Sequence, residues 1–362
     1  MSGAPLRTAL LTATLLLLAA ACGGDGDGDG DEPAGTVASP TAVAPTSVAT
    51  TTTVPTGAVE ISEFTIPTDD SFPHSIATDP QGRIWFTELR ANKLGMFDPA
   101  TEEFSEWDVP TANAQPHGIG VDGDGFVWIT YIALSKLARF DPATEQFVEF
   151  AIPSPNTGPH TIAFDREGDL WFTESRGDAI AHLERASGAI EEVAVPTSDS
   201  VPYGITVDGL GVVWWAELAG HRIGRYDPAT GELTELSPPT SQQGARRIAV
   251  DGNGDVWFTE YDAGKLGYYN PRQERFEEYQ LPTPDARPYA IMIARDGAVW
   301  LSEFGANKLA RFDPQSETFQ EYEIPTPNAG CRTMVEDAQG VIWCPESGAG
   351  KLLRLTPVGA GE

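Results

Sequence analysis

The chain has 362 residues, 41% of them hydrophobic, and its 23 Lys and Arg against 53 Asp and Glu give a formal net charge of −30. This balance argues against the clustered basic surface with which proteins bind nucleic acid or an anionic membrane, so we expect no nucleic-acid partner. Length alone allows two or three domains, and the 37 Gly and 29 Pro are typical of a fold with many turns.

The first 22 residues have the pattern of an export signal. Arg7 precedes an apolar run from Ala9 to Ala21, which has signal-peptide length and is short for a membrane span. The run ends in small residues and Cys22, similar to a bacterial lipobox, although Leu18 stands one place further upstream than usual. We therefore predict a lipoprotein anchored through Cys22 on the extracellular side of the cell membrane. An ordinary signal peptide and secretion are the alternative.

Residues 23–57 are of low complexity, with an Asp-Gly alternation followed by Thr, Pro, Ala, Val and Ser. A segment of this composition cannot bury enough apolar surface to become ordered. We predict a disordered linker that holds the following domain away from the membrane.

From residue 58 to residue 357 the sequence repeats with a period of 43 residues. The repeat is marked by Trp85, Trp128, Trp171, Trp214, Trp257, Trp300 and Trp343. In the second unit we predict the strands Ile119–Asp122, Phe126–Tyr131, Lys136–Asp141 and Gln146–Ile152, separated by Asp-Gly and Asp-Pro turns. Four strands per unit without helical periodicity predict an all-β, seven-bladed β-propeller, with the tryptophans packed between blades.

The two ends of the repeat region predict how the ring closes. The seventh unit stops after its third strand, Lys351–Thr356, whereas Val59–Ile66 looks like a fourth strand that has no blade. We expect this N-terminal strand to complete the last blade, because that pairing removes two exposed sheet edges. Cys331 and Cys344 lie on the two arms of the seventh hairpin, and the sequence leaves a disulfide between them open.

Two series of residues keep fixed distances from the tryptophans. Eleven residues before them stand His74, His117, His160, Tyr203, Arg246, Tyr289 and Arg332. Three residues after them stand Glu88, Tyr131, Glu174, Glu217, Glu260, Glu303 and Glu346. Because the first strand of a blade lies nearest the axis, we expect both series to form concentric rings around one mouth of the central channel.

The composition of these rings suggests chemistry. A ring of glutamates suits a hard divalent cation, and imidazoles opposite carboxylates suit general acid–base catalysis near neutral pH. The alternative is a polar channel lining without chemistry. In blades five and seven we favour simple charge neutralisation, with Arg246 paired to Glu260 and Arg332 to Glu346.

The motif Pro-His-Gly-Ile, followed by Leu-Trp-Phe-Thr-Glu, Asn-Lys-Leu-Gly and a closing Tyr-x-Leu-Pro-Thr-Pro, resembles the virginiamycin B lyase (streptogramin B lyase) family over residues 58–357. The resemblance implies a monomeric seven-bladed propeller. It also implies that the protein opens a cyclic depsipeptide at its ester bond by magnesium-dependent elimination, without water.

The resemblance also implies roles for single residues. It makes His160 the catalytic base, His117 a second catalytic histidine one blade earlier, and Glu174 a ligand of Mg²⁺. The family has a further glutamate two residues before the base, where this chain has Gly158, and Glu217 is our candidate for the missing ligand.

A second register of the motif makes His117 the base, with His74 one blade earlier. Gln115 and Tyr131 then stand where the family has glutamates. In either register we expect His74, His117, Tyr131 and Tyr203, the ring neighbours of His160, to contact the substrate.

The leading hypothesis is thus an exported lyase that acts on a cyclic ester. The alternative is a non-catalytic propeller that binds a small ligand or a partner of the cell envelope. A third, weaker hypothesis is a lactonase-type hydrolase that uses carboxylate-bound metal.

Overall fold

In the computed structural model, residues 52–54 and 59–357 are described, and they form strands, turns and loops. The predicted signal peptide with Cys22, and the predicted linker apart from Thr52–Val54, lie outside the described residues. No apolar helix of membrane-spanning length occurs within the described ranges.

Within the described residues, 29 strands form seven antiparallel sheets, which we call the blades. Two strands come before blade 1, namely β1 (Thr52–Val54) and β2 (Val59–Thr65). Blade 1 contains β3 (Pro73–Thr78), β4 (Ile84–Glu88), β5 (Lys93–Asp98) and β6 (Glu103–Asp108). Blade 2 contains β7 (Pro116–Val121), β8 (Val127–Tyr131), β9 (Lys136–Asp141) and β10 (Gln146–Ala151). Blade 3 contains β11 (Pro159–Phe164), β12 (Leu170–Glu174), β13 (Ala179–Glu184) and β14 (Ala189–Ala194).

The remaining blades follow the same order. Blade 4 contains β15 (Pro202–Val207), β16 (Val213–Glu217), β17 (Arg222–Asp227) and β18 (Glu232–Leu236). Blade 5 contains β19 (Ala245–Val250), β20 (Val256–Glu260), β21 (Lys265–Asn270) and β22 (Arg275–Gln280). Blade 6 contains β23 (Pro288–Ile293), β24 (Val299–Glu303), β25 (Lys308–Asp313) and β26 (Thr318–Glu323). Blade 7 contains β27 (Val335–Glu336), β28 (Ile342–Glu346) and β29 (Lys351–Pro357).

The N-terminal strand closes the ring, as predicted. Strand β2 pairs antiparallel with β29, so that Val59 lies opposite Pro357 and Thr65 opposite Lys351. Strand β1 pairs with the outer edge of β2 and extends blade 7 to five strands. Thr52–Val54 was predicted to belong to the disordered linker, and this short stretch is instead a strand.

In blades 1 to 6 the inner strand starts earlier than the prediction for the second unit implies. In blade 2, for example, β7 begins at Pro116 rather than Ile119, and its pairing register with β8 shifts between these two residues. The same irregularity recurs in blades 1, 3, 4, 5 and 6. Such a bulge turns the residue beside it out of the regular ladder, and His117 lies within it.

The repeated tryptophans pack between blades, as predicted, and each of six also donates its indole N–H to an aspartate. Trp85 is fully buried against the side chains of blade 2, with its ring centroid 5.8 Å from that of Phe140. Its indole nitrogen lies 2.8 Å from Asp79, whose other oxygen accepts backbone N–H groups of the hairpin turn. The equivalent pairs are Trp128–Asp122, Trp171–Asp165, Trp214–Asp208, Trp257–Asp251 and Trp343–Asp337.

Cys331 and Cys344 form a disulfide, which the sequence had left open. Their Cα atoms are 5.8 Å apart, a separation that suits a bridge. Cys331 pairs with Glu346 in an isolated bridge and stands directly before Arg332. The disulfide therefore fastens the start of the short inner strand of blade 7 to β28.

Candidate functional site

Seven side chains, one from each blade, surround the propeller axis at the start of the inner strands. We call them the axial ring: His74, His117, His160, Tyr203, Arg246, Tyr289 and Arg332. Ring centroids are 3.7 Å apart for His74 and His117, 4.0 Å for His117 and His160, and 3.8 Å for His160 and Tyr203. The sequence-predicted series eleven residues before each tryptophan is thus one contiguous group.

Hydroxyl groups of the second strands hold the backbone of the axial ring. The Thr130 hydroxyl donates to the carbonyl of His160 at 2.9 Å, and its oxygen accepts from the N–H of Gly118 at 2.8 Å. Thr87 makes the same link between Ser75 and the carbonyl of His117. Each of these hydroxyls ties the inner strand of its own blade to the ring residue of the next one. The ring residues are therefore held by the blades themselves.

The three histidines are buried and neutral. They are 2–4% exposed. Burial, together with neighbouring histidines and arginines, lowers the pKa of each well below the ordinary value of 6.5. Each imidazole therefore retains a nitrogen lone pair at pH 7, the form required of a proton acceptor.

The residue after each histidine distinguishes the three imidazoles. Nδ1 of His160 lies 2.9 Å from the hydroxyl of Thr161, and Nδ1 of His74 lies 3.1 Å from that of Ser75. His117 is followed by Gly118, and its buried Nδ1 has no hydrogen-bond partner among the described residues. A hydroxyl at Nδ1 orients the ring, so the imidazole of His160 is better positioned as a base than that of His117.

Three arginines complete the group. Arg246 lies over the rings of Tyr203, Tyr261 and Tyr289, and its guanidinium donates to the Tyr203 hydroxyl at 2.9 Å. Arg247, the residue after it, is 7% exposed and reaches across the axis to donate to the hydroxyl of Thr161 at 2.6 Å. Arg332 donates to the hydroxyl of Ser347 at 2.9 Å and lies over Tyr289 at 5.3 Å.

The pKa values of the two tyrosines in the axial ring are shifted in opposite directions. Burial alone would raise the pKa of Tyr289, but the positive charges of Arg246, Arg247 and Arg332 lower it to about 7. The Tyr289 and Tyr203 hydroxyls share a short hydrogen bond, and burial raises the pKa of Tyr203 to about 12. Tyr289 is therefore a second proton acceptor near neutral pH, whereas Tyr203 stays protonated.

Half-buried aromatic side chains lie around the axial ring. We call Phe72, Tyr261 and Phe304 the rim aromatics. Phe304 packs on Tyr289 with ring centroids 5.3 Å apart, and Tyr261 meets the same tyrosine edge-on at 6.2 Å. Phe72 lies under Arg90 and Arg332. They offer apolar contact area to a ligand at the axis.

The second predicted ring does not face the histidines. Glu174 was expected opposite His160, but it pairs with Pro159 across the bulge and lies on the same sheet face as Phe172 and Glu192. Side chains two residues apart on a strand share a face. The Glu174 carboxyl is therefore directed between the blades, where Glu192 of the outer strand acts on its pKa.

The same correction applies to the other residues predicted in that ring. Glu217 accepts the indole N–H of Trp215 at 3.0 Å and lies beside Glu235 of its own outer strand. Tyr131 is fully buried among apolar side chains and lies beside Glu149. None of the three residues is placed in the axial ring, in contrast to His74, His117, His160 and Tyr203.

The glutamates form a repeated structural motif, which we call the acid pairs. In every blade but the second, a buried glutamate of the second strand lies beside a glutamate of the outer strand; the pairs are Glu88–Glu106, Glu174–Glu192, Glu217–Glu235, Glu260–Glu278, Glu303–Glu321 and Glu346–Glu63. Burial is the main cause that raises the inner pKa, to about 9 for Glu88 and about 7 for Glu217. The inner carboxyl is thus protonated or partly so at pH 7, so that each pair carries about one negative charge rather than two.

The outer member of most acid pairs accepts hydrogen bonds from the loop before its blade and from a basic residue. Glu278 accepts from the Thr240 backbone and hydroxyl and from Lys265 at 2.7 Å. Lys308 and Lys351, also at the start of third strands, pair in the same way with Glu321 and Glu63. Blade 3 departs from the motif, because Ala179 occupies the position of the lysine.

The predicted neutralisation of the axial arginines by glutamates is wrong. Glu260 lies beside Glu278 and Glu346 beside Glu63. None of the ion pairs within residues 59–357 includes Arg246, Arg247 or Arg332. The positive charge of these three arginines is therefore not offset by a carboxylate in any of these ion pairs. The chain as a whole, by contrast, has a net charge of −30.

Comparison with known proteins places this geometry in a family. A profile of the Virginiamycin B lyase family matches residues 41–221 and 210–362. The chain belongs to the virginiamycin B lyase family. It is similar to the selenomethionine-substituted virginiamycin B lyase from Staphylococcus aureus, with 28% identity, a TM-score of 0.78, and coverage of 82% of this chain and 99% of that one.

Two further structures of this family are similar. A streptogramin B lyase has 32% identity and a TM-score of 0.78, covering 82% of this chain and 97% of that one. A catalytically inactive histidine-to-alanine variant of the Staphylococcus aureus virginiamycin B lyase, solved with Quinupristin, has 28% identity and a TM-score of 0.77, covering 82% of this chain and 99% of that one. A search of curated proteins returned no match.

The magnesium expected from the virginiamycin B lyase resemblance does not fit the surroundings of His160. Glu174 is directed between the blades beside Glu192 rather than toward His160. Position 158 is glycine, and the arginines around the axis would repel a divalent cation. Within the described residues, the one group of three potential ligands close enough to share an ion is Asp165, Asp169 and His182, at the other end of blade 3.

Several residues at the axis were missed in the sequence. Arg247 and Thr161 both occupy the position after the axial ring, where the other blades have Ser75, Gly118, Gly204, Ala290 and Thr333. When the 43-residue repeats are aligned, Arg247 stands out as an arginine at a position that the other blades fill with small residues. The rim aromatics Tyr261 and Phe304 stand four residues after the tryptophans, where no common residue type marks them.

Proposed function

We propose that the axial ring catalyses ring opening of a cyclic ester by elimination, with His160 as the base. The observation that supports this most is the position of His160, a buried neutral imidazole linked through Thr161 to Arg247. The proposed base, His160, and the guanidinium group of Arg247 thus contact the same hydroxyl group, that of Thr161. Membership in the virginiamycin B lyase family makes elimination the first reaction to consider.

The proposed reaction balances without water. With its proton on Nδ1 donated to Thr161, His160 has a free lone pair on Nε2, which removes the proton from the carbon beside a substrate carbonyl. The electron pair of that C–H bond forms a carbon–carbon double bond, and the ester C–O bond on the adjacent carbon breaks. The products are an alkene and a carboxylate within one opened chain, and the proton rests on His160.

The arginines would stabilise the negative charge that develops. Charge first accumulates on the carbonyl oxygen beside the deprotonated carbon and then on the departing carboxylate. Guanidinium groups fixed in a buried site stabilise such charge far better than water does, because they need no reorganisation. In this proposal Arg247 and Arg246 take the electrostatic role for which the family resemblance implied magnesium, with Glu174 and Glu217 left in their acid pairs.

The substrate would be a small cyclic ester or depsipeptide with aromatic or apolar groups. The rim aromatics supply contact area for such groups. His117 and Tyr203 flank the proposed base, and His74 lies beside His117. Tyr131 is not part of this proposal, since it is buried between blades. We propose that the protein acts as a monomer on this small molecule.

We expect His160→Ala to lower turnover of a streptogramin B-type depsipeptide about 10²–10⁴-fold, the usual contribution of a positioned base. Mass spectrometry distinguishes the reactions, because elimination gives a linear product isobaric with the substrate and hydrolysis adds one water. His182→Ala is the matched control, because His182 lies beside Asp165 and Asp169, outside the axial ring. Equal turnover by the wild type and the His160→Ala variant would refute the assignment.

Chelation of divalent cations distinguishes stabilisation of the developing charge by the arginines from stabilisation by a bound metal ion. Turnover that persists in EDTA supports the arginines, whereas turnover that is lost in EDTA and restored by Mg²⁺ supports the metal of the family resemblance. A wild type that leaves every such ester unchanged would exclude the lyase and favour the non-catalytic binding propeller.

We also propose that the protein is exported and anchored through Cys22. The disulfide between Cys331 and Cys344 supports export, because such bonds persist in oxidising compartments. We expect the full chain in the detergent-extractable membrane fraction, and loss of lipid labelling in Cys22→Ser. Labelling of the Cys22→Ser variant at the wild-type level would rule out the lipobox.

A further inference from the structure

We propose that Arg246, Arg247 and Arg332 form an oxyanion site at the propeller axis that binds a carboxylate-class ligand. The inference deepens the proposed function and rests on the axis being the functional site. It names the group that the site takes, which is the carboxylate released by elimination or carried by another ligand.

The first argument is the set of unsatisfied donors. Arg247 is 7% exposed and donates one N–H to Thr161, but its Nε and one terminal nitrogen have no partner among the described residues. Nε of Arg246 is likewise buried without a partner. Buried polar groups in proteins are nearly always hydrogen-bonded, and an unpaired buried charge is costly. Donors of this kind indicate an acceptor that is supplied from outside the chain.

The second argument is the distribution of charge. The chain has an excess of 30 acidic over basic groups, and in the described blades lysines at the start of the third strands pair with glutamates of the outer strands. The axis shows the opposite pattern, with three arginines facing neutral histidines. Their combined charge lowers the pKa of Tyr289. Even when Tyr289 is ionised, three guanidinium charges face one phenolate, which leaves the site able to accept an anion.

The third argument is geometry. A guanidinium presents a planar pair of N–H groups that matches the two oxygens of a carboxylate, and phosphate oxygens match it as well. Arg246 lies over the ring of Tyr289, with 3.8 Å between the guanidinium carbon and the ring centroid. Its position is thus fixed before any ligand arrives. Such preorganisation lowers the entropic cost of binding.

The test uses the folded protein and two probes, sodium acetate and inorganic phosphate, each compared with sodium chloride at equal ionic strength. We expect a saturable rise of the thermal midpoint with at least one probe. In Arg247→Met the binding should be about tenfold weaker or more, since a hydrogen bond to a charged group is lost. The probe that binds more tightly tells whether a carboxylate or a phosphate is the better ligand.

Two further variants make the result specific. Arg139→Met is the matched control, because Arg139 also lies over aromatic rings, those of Phe126 and Trp128, but in blade 2 away from the axial ring. It should bind the probe like the wild type. Arg247→Met itself should fold normally, because removing an unpaired buried charge relieves a cost. Should it fail to fold, Arg247→Lys keeps the charge without the planar donor pair and should still bind more weakly.

The absorbance of Tyr289 gives an independent signal. A bound anion offsets the arginine charges, so the tyrosinate band near pH 8 should decrease on addition of the probe and be absent in Tyr289→Phe. No saturable effect of either probe, or equal effects in the wild type and Arg247→Met, would overturn the oxyanion site. This binding assay does not depend on turnover. Its failure is therefore distinguishable from failure of the lyase proposal, which mass spectrometry measures.

Discussion

A chain that starts at residue 68 should lose its cooperative thermal transition or melt far below a chain that starts at residue 58. The difference between the two chains is β2, which completes blade 7. Ile61, Phe64 and Ile66 of this segment are at most 3% exposed, and Phe64 packs on Phe97 of blade 1 with centroids 4.7 Å apart. At about 1.5–3 kcal/mol for each buried apolar side chain, their loss approaches the total stability of a typical domain, about 5–15 kcal/mol.

The polar contacts of β2 add to this effect. Glu63 accepts hydrogen bonds from the backbone and hydroxyl of Thr326 and from Lys351 at 2.9 Å, and it is the outer member of the acid pair with Glu346. Removal of β2 leaves Glu346 and Lys351 without this partner and exposes the edge of β29. Differential scanning calorimetry checks the prediction. If the two truncated chains melt at the same temperature, ring closure by β2 does not stabilise the propeller.

Two further chains, which start at residues 51 and 55, test β1. Strand β1 pairs only with the outer edge of β2, so chains that start at residue 51 and at residue 55 should differ far less than those that start at 58 and 68. This comparison is the control for a general effect of shortening the N-terminus.

The blade count, the closing strand and the axial ring could be predicted because all three follow from periodicity. A residue that recurs every 43 positions occupies the same place in every blade, so the series that begins with His74 had to form a ring. The tryptophans were placed between blades by the same argument. Nothing in that reasoning depends on which way a single side chain points.

The position of Glu174 could not be predicted in the same way. The repeat placed Glu174 at the end of the second strand. The sheet face on which its side chain lies, however, depends on the bulge after Pro159 and on the alternation of side chains along the strand from Phe172. Its partner Glu192 lies two strands away and could only be found from the strand register. The sequence left the disulfide undecided for a similar reason, since the distance between Cys331 and Cys344 depends on an isolated bridge before an irregular strand.

Arg247 shows the limit of motif-based reasoning. The family motif directed attention to histidines and to a missing glutamate at Gly158. The strongest electrostatic feature of the axis, however, comes from one residue that deviates from its own repeat. In a repeat protein, the departures from the repeat are where chemistry specific to that protein is most readily found.

The acid pairs lead to a prediction about pH. We expect the thermal midpoint to fall by about 5 °C or more when the pH is raised from 7 to 9. The pKa is raised to about 9 for Glu88 and Glu346, and to about 8 for Glu174, Glu260 and Glu303. The unfolded chain releases these protons near pH 4.5, so over this interval the folded state binds protons that the unfolded state has lost.

The sign follows from linkage. A carboxyl whose folded pKa is raised contributes stability that is complete below the unfolded pKa and is lost as the pH rises through the folded pKa, at up to about 1.4 kcal/mol per pH unit for each group. Tyr289 opposes this trend, because its folded pKa of about 7 is below the unfolded value of 10. Tyr289 is a single group, whereas five glutamates change the stability in the other direction. The histidines are neutral in both states above pH 7 and add nothing in this window.

Glutamine at the inner position isolates the effect. In Glu346→Gln the amide is neutral beside Glu63, as the protonated carboxyl is, but it has no proton to lose. The midpoint should therefore stay near that of the wild type at pH 7 and exceed it at pH 9, and adding Glu88→Gln should flatten the slope further. Glu103→Gln, an exposed change on β6, is the control and should leave the slope unchanged. A wild-type slope in the Glu88→Gln, Glu346→Gln double variant would mean that the buried glutamates are ionised at neutral pH, with their charge compensated by Lys93 and Lys351.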